Sequence, residues 1–175
     1  MKLLLGVMLL LTFSCSNHSL QDYKDERPEL NLRSFFDGKL YAQGIVQDRS
    51  GKVIKRFNVD IVASWEGNVC TLNEKFEYSD QTKSTRVWRL TETAPGKYEG
   101  VAGDVIGVAN GEVAGNTFYF EYTLDVPVGD KTFHIPFKDW MFLLDKNTLL
   151  ARSYMTKWGF SVGEVTLIMT KKEGK

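Results

Sequence analysis

Charged side chains that interrupt apolar rows are the residues of this chain best suited to chemistry, because a charge among apolar neighbours must be paired or useful. Glu74 interrupts the row of Leu72 and Phe76, Asp139 stands between Phe137 and Met141, and Glu164 shares its parity with Thr166 and Ile168. Residues 149–156 read as a strand, which puts Arg152 in line with Leu150 and Tyr154, although the opposite row of Leu149, Ala151, Ser153 and Met155 is also partly apolar. The expectation is a guanidinium that points inward and meets Asp139 or Glu74. Such a group could form a structural salt bridge, hold a ligand headgroup, or take part in acid–base catalysis. Trp88, Tyr122 and Trp140 complete the candidate ligand-binding set.

Other chemistries find little material. Of the two histidines, His18 lies in a polar leader and His134 is alone in the domain, so neither a His-rich zinc site nor a Ser-His-Asp arrangement is supported. His134 and Asp139 are five positions apart in an extended run and face opposite ways, with His134 at the surface. Cys70 sits in a strand-like run with Leu72 and reads as a buried, inert thiol. Gly103, Gly107, Gly111 and Gly115 recur every four residues, unlike the G-x-G-x-x-G of a phosphate loop. In an extended chain these four would share a face and let a bulky partner approach, either a neighbouring tryptophan or a ligand. No metal, cofactor or catalytic residue is expected, and the chain leans away from being an enzyme.

Strands must position the candidates. Phe57, Val59, Ile61, Ala63 and Trp65 alternate with mostly polar residues, as do Phe118, Phe120, Tyr122, Leu124 and Val126. Cys70, Leu72, Phe76 and Tyr78 form a third inward row, and Trp88 with Leu90 a fourth. Turn signals stand at Asp48-Arg49-Ser50-Gly51, Gly67-Asn68, Pro95-Gly96, Asn110-Gly111, Gly115-Asn116, Gly129-Asp130 and Lys146-Asn147. Sequential hairpins without a long crossover predict an all-β, single antiparallel up-and-down barrel of about 8–10 strands, in preference to a two-sheet sandwich. Arg56, Asp60, Lys75, Glu77, Glu121 and Asp125 occupy the second face, which argues against a lipid-facing outer wall. Leu30, Leu32, Phe35 and Phe36 predict a short helical plug ahead of the first strand. The 22 basic and 22 acidic residues balance, so no polycation drives binding to nucleic acid.

The N-terminus carries an address. Lys2 precedes an eleven-residue run, Leu3 to Phe13, that is apolar apart from Gly6 and Thr12 and is followed by Ser14 and Cys15. A helix needs about 20 apolar residues to span a bilayer, so this run is too short. It has the layout of a cleavable export signal and resembles a bacterial lipoprotein signal, in which the cysteine is acylated. The organisation expected is a signal in residues 1–14, a polar flexible tether in 15–30 and a β-barrel domain in 31–175. With Ser16 after the cysteine, the expected location is the cell envelope, lipid-anchored at the outer membrane and facing the periplasm. Once Cys15 is acylated, Cys70 has no partner for an internal disulfide.

Several segments together resemble a family of bacterial lipoproteins described only as a domain of unknown function, with a calycin- or lipocalin-like fold. They include Phe36-Asp37-Gly38, Ile45 to Gly51, Val87-Trp88-Arg89-Leu90-Thr91, Tyr98-Glu99-Gly100, Gly111 to Asn116, Asp139-Trp140-Met141 and Gly163-Glu164-Val165-Thr166. The resemblance spans residues 32–171 and implies no catalytic residues. The function expected is a binding or envelope-maintenance module for an apolar or lipid-like ligand. The alternatives are a ligand-free adaptor for another envelope protein and, third, an unrecognised enzyme. A hollow interior favours the first of these and a filled one the second.

Overall fold

In the computed structural model, which describes residues 18–172, ten antiparallel strands close into one up-and-down barrel of the calycin-like kind expected. They are β1 (Gly38–Asp48), β2 (Val53–Glu66), β3 (Val69–Tyr78), β4 (Lys83–Ala94), β5 (Lys97–Val101), β6 (Ala109–Ala114), β7 (Thr117–Val128), β8 (Lys131–Asp145), β9 (Thr148–Lys157) and β10 (Phe160–Lys171). Each strand pairs with its neighbour in sequence, and the ladder from Leu40↔Lys171 to Asp48↔Gly163 joins β1 to β10. Closure leaves no full-length edge open to another chain. Cys15 and the signal in residues 1–14 lie outside the described residues.

Alternation decides which face each side chain takes. Phe57, Val59, Ile61 and Ala63 of β2, Cys70 and Leu72 of β3, Trp88 and Leu90 of β4, and Phe118, Phe120 and Leu124 of β7 are all buried. Between them Arg56, Asn58, Asp60 and Glu121 face water. Burial, with Asp37 adding to it, pushes the Cys70 thiol up to about 12, and a neutral thiol behaves as a small hydrophobe. Phe118 is enclosed by Phe120 and Tyr98, at ring separations of 5.3 Å and 5.7 Å.

One end of the barrel is shut. Asn31 caps a single helical turn, α1 (Leu32–Phe35), by accepting from the Ser34 N–H at 2.9 Å. That turn buries Leu32 and Phe35, with Leu30 and Phe36 beside them, as the plug expected. The Trp65 indole donates to the Phe36 carbonyl at 2.9 Å, and Arg33 donates to the Gly67 carbonyl at 2.9 Å while lying over the Trp65 ring.

The glycine run behaves differently from its spacing. Asn110-Gly111 is not a turn but the middle of β6, where a Cβ on Gly111 would stand 2.5 Å from the Phe118 ring. Gly103 and Gly107 lie between β5 and β6 with open space around them. Gly115 turns the chain into β7 with φ +53, and a Cβ there would meet the Tyr23 carbonyl at 1.9 Å. The four therefore share no face. The bulky partners at Gly111 are phenylalanines, not a tryptophan.

Truncation tests the parity. Phe118→Ala should cost about 3–5 kcal/mol in chemical denaturation, because it empties a fully enclosed site. Thr123→Ala, on the outer face of the same strand, should cost less than about 1 kcal/mol. Similar small losses at both positions would contradict the inner row assigned to β7.

Candidate functional site

The barrel is hollow. A cavity of about 810 Å³ runs down its interior, between walls of Phe57, Leu72, Phe76, Trp88, Phe120 and Phe137, among others. Ala42 of β1 and Ala151 and Ser153 of β9 contribute small inward side chains that leave this space open. Aromatic rings pack along its wall: Trp88 lies 5.2 Å from Phe120 and 5.3 Å from Tyr122, and Tyr122 stacks on Phe137 at 5.4 Å.

The plug closes one end of the cavity, and the wall is notched toward the other. β5 and β6 have only five and six residues. Pairing of β4 with β5 stops at Arg89↔Val101, and pairing of β6 with β7 stops at Asn110↔Glu121. Beyond those points the gap is filled by the loop of residues 102–108, fastened to β7. The Ile106 N–H donates to the Thr123 carbonyl, the Asp125 N–H donates to the Asp104 carbonyl (both 2.9 Å), and Val105 bridges to Leu124. Thr85 and Val87, outward by parity on β4, line the cavity together with Gly103, Asp104 and Pro127. The interior therefore reaches the surface between β4 and this loop.

A polar cluster sits within the apolar walls. Glu74 on β3 faces Arg86 on β4 directly across the ladder, and the Arg86 Nε donates to Glu74 Oε2 at 2.7 Å. Arg86 Nη1 lies 3.7 Å from Asp104 Oδ2, and its guanidinium carbon lies 5.3 Å and 5.4 Å from the Phe76 and Trp88 rings. On the far side, the Tyr122 hydroxyl donates to Asp139 Oδ2 at 2.9 Å, and Ser153 is the cross-strand neighbour of Asp139. One oxygen each of Asp104 and Asp139, the Oδ1 atoms, is buried without a hydrogen-bond partner.

Burial governs the protonation of these groups. It raises the Asp139 carboxyl to about 6, against the opposing pull of Ser153, Tyr122 and Arg86. Burial also raises Glu74, with Arg86 working the other way. At Arg86 burial opposes the charge, but Glu74, Tyr122 and Asp104 outweigh it and hold the guanidinium above its ordinary value. Tyr122 is driven well above its ordinary range by burial and by the charge of Asp139, so its hydroxyl stays a donor. Glu74 and Asp104 thus share one guanidinium, while Asp139 is held by Tyr122.

The structure brings Glu74, Asp139, Trp88 and Tyr122 together and leaves Arg152 and Trp140 outside. The inward row of β9 is Leu149, Ala151, Ser153 and Met155, so the expected inward position of Arg152 is corrected. Leu150 and Tyr154 misled because they are apolar residues on the outer wall. There Arg152 donates to Glu164 from Nε at 2.8 Å and from Nη2 at 3.0 Å. Glu164 is likewise an outer residue.

Trp140 follows Asp139 in an alternating strand and therefore faces out. It packs against Tyr119 at 4.7 Å, His18 at 4.4 Å and Tyr23 at 5.9 Å. These contacts lay the expected tether against the barrel from His18 onward. A 3-10 turn, Leu20–Tyr23, lies on the wall, and the Leu30 N–H donates to the Gly115 carbonyl at 2.8 Å. His134 is exposed on the outer face with Nδ1 2.6 Å from Asp125, as expected from its parity.

Arg86 was not among the sequence candidates. Its signal was present, since it shares parity with Trp88 and Leu90. The turn at residues 79–82 was unrecognised, and that turn sets the register that puts Arg86 opposite Glu74. Its chemistry is local: Asp80 Oδ1 accepts from the Thr82 N–H at 3.1 Å and from the Thr82 hydroxyl at 2.5 Å.

Residues 8–171 match the model of a family described as protein of unknown function (DUF3833). The solved structure of an S-type phycobiliprotein lyase from Guillardia theta is similar over 90% of this chain and 100% of that one, with a TM-score of 0.61 at 10% identity. Likeness at that identity is a likeness of fold. No curated protein matches the chain.

Two predictions separate the internal ion pair from the external one and test the buried acid. Arg86→Met should cost about 3–5 kcal/mol, because it strands buried carboxylates, while Arg152→Met should cost about 0–1 kcal/mol at the exposed pair. Equal effects in chemical denaturation would overturn the assignment.

The Asp139 carboxyl binds its proton more tightly folded (about 6) than at its ordinary value of 3.8. The stability it contributes is therefore complete below the ordinary value and is lost as pH rises through about 6. Asp139→Asn keeps the acceptor for Tyr122 and removes that loss. Its stability relative to the parent should climb between about pH 4 and pH 6, then level off at a gain on the order of 3 kcal/mol. A difference that stays flat with pH would refute the shifted carboxyl.

Proposed function

We propose that this protein, which belongs to the DUF3833 family, is an envelope-anchored carrier whose barrel holds an apolar or lipid-like small molecule. The cavity carries the reading. About 810 Å³ of space with aromatic and aliphatic walls and a few convergent polar groups is the size and make-up of a small-molecule site. A ligand-free adaptor has no use for such an interior, since filling it would stabilise the barrel.

The polar cluster selects the end of the ligand that enters first. Arg86 is engaged by Glu74 and Asp104, so among the described residues the site offers carboxylate acceptors and no free cation. A fatty-acid carboxylate or a phosphate would meet like charge at Asp139, Glu74 and Asp104. A ligand whose polar end carries O–H or N–H donors fits, with its apolar body between Trp88, Phe120 and Phe137. The anchor belongs to the same proposal: the short apolar run ending at Ser14-Cys15 supports acylation of Cys15 and placement at the outer membrane, facing the periplasm.

The test is native mass spectrometry with organic extraction of the full chain purified from its own envelope. The expected result is a bound, uncharged or cationic apolar molecule, on a chain that begins at an acylated Cys15. Ala151→Phe projects a ring into the cavity at an overpacking cost of about 1–3 kcal/mol. It should displace the bound molecule from a barrel that remains folded. An empty parent protein, or ligand content unaltered by Ala151→Phe, would sink the carrier reading.

A further inference from the structure

We infer that the barrel docks on a phospholipid bilayer through the hairpin tips at its mouth, an assignment that rests on the carrier reading above. The mouth is the end away from the plug, where Val46, Tyr78, Ser84, Val126 and Met155 line the cavity. Three adjacent hairpins ring most of it, joining β1 to β2, β7 to β8 and β9 to β10.

The β9–β10 tip is the telling one. Lys157 pairs with Phe160, leaving Trp158 and Gly159 as a two-residue turn with φ +50 and +81. A turn with both central residues at positive φ is the place for Asn-Gly, and a bulky side chain there is strained. The chain nevertheless sets a tryptophan in it, 86% exposed, and follows it with Phe160, 74% exposed. Neither ring contributes to the core, so the barrel's own stability gives no reason for either. The neighbouring tips continue the pattern with Val128 at 59% exposure and Ile54 at 60%.

Basic side chains stand among these apolar ones. Lys157 extends its ammonium over the Phe133 and Trp158 rings, 3.6 Å and 4.9 Å from their centres, and Lys131, Arg49 and Lys52 lie at the adjoining tips. Trp and Phe with Lys and Arg at one edge is the composition of a surface that seats in a headgroup layer, the rings inserted and the cations among phosphates. The fourth tip at this end, residues 79–82, is Ser-Asp-Gln-Thr and supplies no apolar group.

The N-terminal segment follows the β7–β8 wall. Tyr23 lies at Gly115, near the plug, and His18 lies beside Trp140, further toward the mouth. Three positions separate His18 from Cys15, a reach of about 10 Å at most. Nine positions of β8 separate Trp140 from Lys131 at the β7–β8 tip, about 30 Å of strand, so an anchor on that leash stands beside the wall and the tips make their own contact with the bilayer. A ligand could then pass between bilayer and cavity without crossing water.

The ten strands, the plug and the docked segment all lie within residues 18–172, so a chain beginning at Ser16 keeps the fold without the anchor. Its binding to vesicles of phosphatidylethanolamine and phosphatidylglycerol is measured by co-sedimentation and by the blue shift of tryptophan fluorescence. The anchor-free parent should bind. Trp158→Asn with Phe160→Thr should bind about tenfold or more weakly. Its melting temperature should be equal or higher, because Asn suits the turn that Trp strains. Ile168→Ser, on the outer wall away from the mouth, should bind like the parent.

Three results would overturn the inference: a parent that does not bind vesicles, a double variant that binds equally well, or a parent whose tips mediate only self-association. The cavity is scored separately by bound-ligand mass in the same samples. An empty cavity with tip-dependent vesicle binding would defeat the carrier reading and leave the docking face standing.

Discussion

Closing ten strands into one barrel encloses a width that ordinary side chains do not fill, and most of the other features follow from it. The β1–β10 ladder commits the circumference, because an open sheet of the same strands could curl and pack its inner rows together. With the circumference set, even Trp88, Phe120, Tyr122 and Phe137 line the walls without meeting across the whole lumen. The plug around Leu32 and Phe35 then seals one end, so the empty volume becomes a blind pocket with its entrance at the other.

That pocket accounts for a polar group arrangement that a packed core would not tolerate. Burying a carboxylate is costly unless another group stabilises it, and here Glu74 and Asp104 engage one guanidinium, that of Arg86. The Glu74–Arg86 pair is the tightest contact of the set, with Asp104 brought in by the loop that fills the notch. Asp139 stands apart, held by Tyr122, and its carboxyl is lifted by burial to about 6. Acceptors left over after Arg86 is satisfied give the lumen a chemical polarity as well as a shape.

The short strands β5 and β6 connect the pocket to the surface. Had they run the length of their neighbours, the wall between β4 and β7 would be continuous and Asp104 would have no loop to reach Arg86 from. The same end of the barrel displays Trp158 and Phe160, while the docked segment from His18 to Leu30 brings the chain in along the β7–β8 wall. Entrance and exposed aromatic rings thus lie at the same end of the barrel, as a bilayer-loaded carrier would need.

Strand parity was readable wherever one row is apolar and the other charged. Phe57 to Trp65 and Phe118 to Val126 are such cases, and their inner faces came directly from alternation, as did the outward His134 and the buried Cys70; the plug was legible as an apolar cluster ahead of the first strand. In β9 both rows are partly apolar, so period two could not choose between Arg152 and Ser153. The choice fell to cross-strand pairing, which sets small Ser153 beside Asp139 and Arg152 beside Glu164. Arg86 depended on a turn whose Asp-Thr chemistry is subtle, because one turn sets the register of a whole hairpin. The hollow interior is a property of circumference and summed side-chain volume, and no single strand carries it. Alternation along one strand tells inside from outside; which inside residues meet, and how much space they leave, is decided only when the last strand pairs with the first.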